Sequence, residues 1–281
     1  MHLLAIAAVA TQLAAAAPDI SVTARVRAVR PGELVVLTIR TRTPADALQA
    51  QAFGRELQPY PVDRSTWRVL VGIDLSTTPG SYQVRVTAQP SGVEAVHPLA
   101  VGRRVFRTRT LTVDPAFVTP PPEVANRIAR ESRILSDLWN TATEQRQWTG
   151  TFVRPVPHEA NSAFGSRSIF NGQPRSQHSG ADFRSPAGTP IKAPNRGRVV
   201  LADDLYFSGN TVVLDHGRGL YSLFAHLSEI RVTTGTLVET GEPVGTVGAT
   251  GRVTGPHLHW AVRVNGARVD PLSLLAVLGT R

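Results

Sequence analysis

Apolar and polar residues alternate over much of the chain. Ser21–Val29, Leu34–Arg40, Trp67–Ile73, Tyr82–Ala88 and Val105–Val113 mostly follow a two-residue period, which puts one face of a strand on a core. Pro31-Gly32, Pro79-Gly80 and Ser91-Gly92 punctuate these runs as turns. Short strands at this spacing predict a small β-sandwich, immunoglobulin-like in outline, over residues 19–116. His97 there precedes a proline and reads as structural.

The period then changes. Thr119-Pro120-Pro121-Pro122-Glu123 is a boundary followed by a helix-start signal. Val124, Ile128, Leu135, Leu138 and Trp139 recur at helical spacing, predicting a helix through about Gln147 within a helical linker, 119–150, with one apolar face packed on a neighbouring domain. From Phe152 to the end, 152–281, short strands return: Arg198–Leu201, Thr211–Leu214, Leu220–Leu223, Glu242–Val247 and His257–Val264. Gly245, Gly248, Gly251 and Gly255 cluster with no helix pattern after them, which suits tight turns and close backbone approach, not a phosphate loop. The fold class is therefore mainly β, with two β domains joined by a helical linker. At the other end, Leu3–Leu13 is apolar and Ala14-Ala15-Ala16 offers an A-x-A cleavage site. Residues 1–16 read as a signal peptide, although the start carries His2 and no Lys or Arg. The stretch is too short to span a bilayer, and no other segment is long enough, so export without a membrane span is expected.

Composition narrows the chemistry. With 281 residues, 42% hydrophobic and 18% charged, the chain has room for two domains. The 21 prolines and 23 glycines favour strands and turns. Cysteine is absent, so any metal is held by His and carboxylates. The net charge of +9 is almost all arginine, Lys192 being the only lysine. Such a chain is drawn to anionic surfaces. No nucleic-acid motif and no basic run with interleaved aromatics is present, so nucleic acid is not an expected partner.

Two constellations carry chemistry. In Gly255-Pro256-His257-Leu258-His259-Trp260, strand alternation turns His257 and His259 to one side, about 7 Å apart, and Leu258 and Trp260 to the interior. In His178-Ser179-Gly180-Ala181-Asp182, a straight strand would separate the ends by about 13 Å. A bend at Gly180 is expected to let His178 and Asp182 converge. A hydrolytic zinc site needs three ligands and one open position. His178, Asp182 and His259 would supply them, leaving two proton-handling groups. His257 suits a general base, and His226 suits a group that steadies an oxyanion or protonates a leaving amine. His216 reads as a turn residue with a further role beside the site open, Asp203 and Asp204 as solvated turn acids, and His158 as an entry-loop residue without a specific signal.

At these residues the region from about Arg154 to Leu275 resembles the lysostaphin/LytM-type zinc metallopeptidases, which cut peptide bonds in bacterial peptidoglycan. Ser162-Ala163-Phe164-Gly165-Ser166-Arg167 looks like the family's strand-and-turn entry. His178-Ser179-Gly180-Ala181-Asp182 stands as its H-x-G-x-D motif, and His226-Leu227 as its catalytic histidine. Gly248-Ala249-Thr250-Gly251 and Thr254-Gly255-Pro256-His257-Leu258-His259-Trp260 stand as its closing run. The resemblance implies zinc on His178, Asp182 and His259, with His226 and His257 catalytic, and it separates His257 from His259 more firmly than spacing does. It also implies a compact antiparallel β metallopeptidase domain around a narrow groove. The expected protein is an exported, periplasmic or cell-wall-associated, monomeric peptidoglycan endopeptidase. The alternative is a non-catalytic wall-binding protein or amidase activator using the same groove, whose mark would be missing ligands. The loop before His178 has Phe170 where some members have a tyrosine, which leaves open the group that assists His226. Which peptide bond is cut, and whether the first domain is a spacer, a wall-binding unit or a shield over the groove, also stay open.

Overall fold

The alternating runs of the first third fold into two four-stranded sheets. The computed structural model describes residues 19–161 and 164–279. The expected signal peptide, 1–16, lies outside the described residues, as do Ser162 and Ala163. The strands are β1 (Ile20–Val26), β2 (Leu34–Thr41), β3 (Ala47–Ala52), β4 (Arg55–Leu57), β5 (Tyr60–Pro61), β6 (Thr66–Gly72), β7 (Gly80–Gln89) and β8 (Glu94–Val101). One sheet runs β1-β2-β6-β5 and the other β4-β3-β7-β8. They close on one core that includes Val35, Leu37, Val69, Val71, Val84 and Val86.

Two strands of the first sheet, β2 and β6, are buried on both faces. Leu34, Val36 and Leu70, which alternate with the residues above, pack into the core of the C-terminal region with Trp148 and Phe152. Near-continuous burial is the mark of a strand covered on both sides.

Val105–Val113 departs from expectation. Only β9 (Thr108–Leu111) is a strand, Val105 is 91% exposed, and β9 belongs to neither sandwich sheet. It pairs in parallel with β10 (Arg167–Phe170), a partner too remote in sequence for local alternation to reveal. The helix α1 (Ala125–Asn140) also ends earlier than expected, because Thr141 turns to an extended backbone and Trp148 enters the core. Its apolar face behaves as expected: Leu135, Leu138 and Trp139 pack on Leu223, Ala225 and Ala261.

The remaining strands are β11 (Gln173–Pro174), β12 (Gly180–Phe183), β13 (Pro190–Lys192), β14 (Gly197–Leu205), β15 (Gly209–Gly217), β16 (Leu220–Ile230), β17 (Leu237–Val238), β18 (Pro243–Val247), β19 (Leu258–Val264) and β20 (Ala267–Val269), followed by α2 (Pro271–Leu278). β12-β19-β16-β15-β14-β17 form the spine of a nine-stranded sheet. Asp203 and Asp204 lie in β14 and not in a turn, with Asp204 paired to Arg127. Among the described residues no helix is long and apolar enough to cross a membrane.

His216 is likewise no turn residue. It is a fully buried member of β15, with Nδ1 2.9 Å from the Arg196 carbonyl and Nε2 3.0 Å from Ser222 Oγ. Burial lowers its pKa from 6.5 to about 4. The unfolded chain therefore takes up this proton at a higher pH than the folded one. The stabilisation from a neutral His216 is complete above pH 6.5 and is lost as pH falls toward 4, about 3 kcal/mol in all. Chemical denaturation between pH 7 and 4 should show this loss, and His216→Gln should flatten that part of the curve.

Candidate active site

Strand pairing builds the site. β12 and β19 are antiparallel, with Asp182 directly opposite His259, and directly opposed residues share a face. Leu258 and Trp260 are fully buried behind them, as alternation requires. His178 precedes β12 and pairs elsewhere: its N–H donates to the Ser166 carbonyl, and its own carbonyl accepts from Gly165 N–H. The chain changes partner between His178 and Asp182, and this brings the two side chains together. No positive φ is needed at Gly180, the first residue of β12.

Gly180 has a different role from the expected bend. A Cβ there would lie 2.5 Å from the Trp260 carbonyl oxygen and 2.7 Å from the His259 ring. Gly180→Ala should push the His259 ring out of place and weaken metal binding by about 10- to 100-fold, the usual cost of disturbing a ligand's support. Zinc titration against a competing chelator measures this.

Three ligand atoms converge. His178 Nε2 lies 2.8 Å and His259 Nδ1 3.0 Å from Asp182 Oδ1, and the three candidate ligand atoms are all within 4.8 Å of one another. Burial alone would raise the Asp182 pKa, but hydrogen bonds from His178 and His259 outweigh it and hold the carboxyl well below its ordinary range. Burial lowers His259, opposed by its bond to Asp182. An ionised carboxylate with two imidazoles fits a zinc ion by donor type, number and convergence.

The two remaining histidines stand beside this set. His226 takes a φ of +68°, at a point where the β15–β16 register shifts between Asn210 and Val212. An irregularity of this kind re-aims a side chain. Its ring centroid is 5.0 Å from that of His257 and 5.9 Å from that of His259. His226 Nδ1 meets the Thr250 carbonyl at 2.9 Å, and His257 Nδ1 meets the Gly255 carbonyl at 2.8 Å. Carbonyls only accept, so each Nδ1 carries the proton and each neutral ring has a bare Nε2. Burial, reinforced by His259 and His257, lowers the His226 pKa to about 3.

Sequence reasoning missed two contributors. Thr250 fixes His226 through its carbonyl, and its own hydroxyl accepts from Asn210 N–H and donates to the Leu227 carbonyl. The alternating pattern carries no signal for a backbone carbonyl. Arg109 on β9 reaches Asp182 Oδ2 at 3.4 Å and Ser168 Oγ at 3.2 Å. As one arginine among many, it could be found only from the β9–β10 pairing. All five site residues and Arg109 line one groove of about 760 Å³. Of the other histidines, His216 and His97 lie outside its lining, as does His158, whose buried Nδ1 has no partner.

Known proteins resemble this chain at two scales. The description "Peptidase family M23" matches residues 176–271. Over 97 residues the chain is 42% identical to the DD-carboxypeptidase/endopeptidase Mpg of Neisseria meningitidis, and over 95 residues 42% identical to the peptidoglycan DD-endopeptidase ShyA of Vibrio cholerae. Each match covers 34% of this chain and 22% of the relative, so the chain spans about a fifth of the length of those proteins. A crystal structure from Pseudomonas aeruginosa, described as a peptidase M23, matches far more. It is 33% identical, covers 90% of this chain and 96% of its own, and superposes with a TM-score of 0.70. With near-complete coverage of that relative, the mainly β fold and the M23 segment holding the site agree, and the chain belongs to peptidase family M23.

Proposed function

We propose that this protein is an exported zinc metalloendopeptidase that hydrolyses peptide bonds in peptidoglycan stems or cross-links. Residues 152–281 form its peptidase domain, 19–116 its N-terminal β domain and 119–150 the linker. The observation that carries this reading is the convergence of His178, Asp182, His226, His257 and His259 on one groove. Family relatives named as peptidoglycan DD-endopeptidases support the substrate class.

His178, Asp182 and His259 are the zinc ligands. When bound, zinc supplies Lewis acidity, lowering the pKa of a water and polarising a carbonyl. The protein's own groups do the rest. Without the metal Asp182 Oδ1 meets His178 Nε2 and His259 Nδ1, contacts that zinc would replace, while Arg109 occupies the carboxylate's other oxygen. His257, with its Nδ1 proton committed to Gly255, takes the proton of the attacking water at Nε2. His226 is harder to charge because it is buried. It donates to an oxyanion or a leaving amine only after gaining at Nε2 the proton that His257 took from the water, since Thr250 holds the other one. Buried Leu258 and Trp260 anchor the start of β19, which carries His259 and is preceded by His257.

The test is mass spectrometry of fragments released from purified peptidoglycan by the zinc-loaded protein, with His257→Ala beside it. New peptide termini with the wild type alone are the expected result and identify the bond. A chain that purifies without zinc, and that binds peptidoglycan without cutting it even when zinc is supplied, would replace this reading with a wall-binding protein.

A further inference from the structure

The groove carries a cation that the hydrolytic mechanism does not use. Arg252 lies in the loop between Thr250, whose carbonyl holds His226, and His257 itself. Its guanidinium carbon sits 4.9 Å from the Phe170 ring centroid and 4.7 Å from that of Phe207. All three residues line the groove. Two aromatic faces fix the guanidinium and leave its N–H edge as the reactive part.

That edge has no acceptor. Among the described residues no carboxylate lies within 4.0 Å of Arg252, and its guanidinium makes no hydrogen bond, although the side chain is partly buried. Burial and the nearby Arg175 cation both work against its charge. A partly buried guanidinium next to a second cation, with no counter-charge, is costly unless an anion arrives. The surrounding groove repeats the sign. Arg109, Arg184, Arg252 and Arg263 line it, and Asp182 is its one acid among the described residues. Asp182 is already engaged by His178, His259 and Arg109.

We infer that Arg252 is a substrate-docking residue that binds a free carboxylate of a stem peptide beside the cleaved bond, so that this groove selects carboxylate-bearing peptides over neutral glycine bridges. This rests on the peptidase reading and deepens it. An arginine held flat between rings can take a carboxylate with two parallel N–H···O bonds. A glycine chain offers no charge to repay the desolvation of that cation. Phe170, at the end of β10, is one wall of this docking site and supplies no hydroxyl.

The experiment compares cross-linked muropeptide dimers with the same dimers after their carboxyls are converted to amides. Wild type, Arg252→Gln and Arg252→Lys are measured on both by kcat/KM. The wild type should lose about 10- to 100-fold on amidation, the worth of a charge-assisted hydrogen-bonded pair. Arg252→Gln should lose a similar factor on the native dimer and nothing further on the amidated one, with Arg252→Lys between. An equal loss on both substrates marks a structural role and overturns the inference, as does no loss on either. If the wild type cleaves neither dimer, that failure counts against the peptidase reading. Titration calorimetry then decides the docking by itself: tighter binding of the native dimer by wild type, with the preference gone in Arg252→Gln, supports it. Equal binding, or none, overturns it.

Discussion

His257→Ala should lower the rate of peptidoglycan hydrolysis by about 10²- to 10⁴-fold, the usual contribution of a positioned acid–base group, while zinc content stays unchanged. The ring lies 3.9 Å from Asp182 Oδ1, and among the described residues its one hydrogen bond goes to the Gly255 carbonyl. Removing it leaves His178, Asp182 and His259 converged. The backbone N–H of His257 still reaches the Gly248 carbonyl, so β19 keeps its entry. The loss should fall on kcat with little change in KM, since the base acts on the reaction and not on peptide binding. His259→Ala is the contrast. It takes away one of the three converging atoms and leaves Asp182 with a single histidine, so zinc and activity should disappear together. Metal analysis beside muropeptide kinetics separates the two variants. A His257→Ala protein with the wild-type rate would remove the base assignment and leave His226, whose Nε2 is also bare, as the remaining candidate.

Much of this site was legible because its residues obey local periods. His257 and His259 fall on one side of β19 by strand alternation alone, with Leu258 and Trp260 buried opposite. The closeness of His178 and Asp182 was correctly expected but for the wrong reason. The chain changes pairing partner between them, and Gly180 serves the His259 ring by leaving space for it. What stayed hidden depends on remote pairing. The parallel match of β9 to β10 brings Arg109 to Asp182 across 73 residues of sequence, and no local pattern encodes it. β3 was missed because Ala47–Ala52, with its alanines and glutamines, lacks the β-branched and aromatic residues that mark strands. β8 was missed because His97-Pro98 interrupts it; proline lacks the N–H that a central strand needs, and β8 lies at a sheet edge. Leu34–Arg40 was read as alternating with one face on a core, but β2 is buried on both faces, and the sequence did not say what covers the second one.

That second face leads to the largest expected effect on stability. Glu33 is fully buried and bonds Arg27 twice, at 2.9 Å through Nε and through Nη2. Arg30 reaches it at 3.2 Å and Arg104 at 3.7 Å. Arg27 and Arg104 also hold Asp270, at 2.9 and 3.1 Å. Asp270 in turn caps α2 through Leu272 N–H, and its own N–H donates to the Gly32 carbonyl. Leu34 N–H donates to Ser273 Oγ. One acid thus organises three arginines at the seam between the first sheet and the last helix. Burial would raise the Glu33 pKa, but the arginine bonds and Ser273 outweigh it and hold the group ionised. Glu33→Ala leaves those cations without their shared acceptor. Breaking a buried ion pair from one side costs about 3–5 kcal/mol. The low end applies here, because the arginines reach solvent and Asp270 still holds two of them. A loss of about 3 kcal/mol should lower Tm by on the order of 5–10 °C. Leu34, Val36 and Leu70 belong to the same core as Phe152 and Trp260, so the two β regions should unfold together. Calorimetry of Glu33→Ala should therefore show one transition moved down as a whole. Two separated transitions, with only the first displaced, would mean that the seam is decorative and that each region is stable without the other.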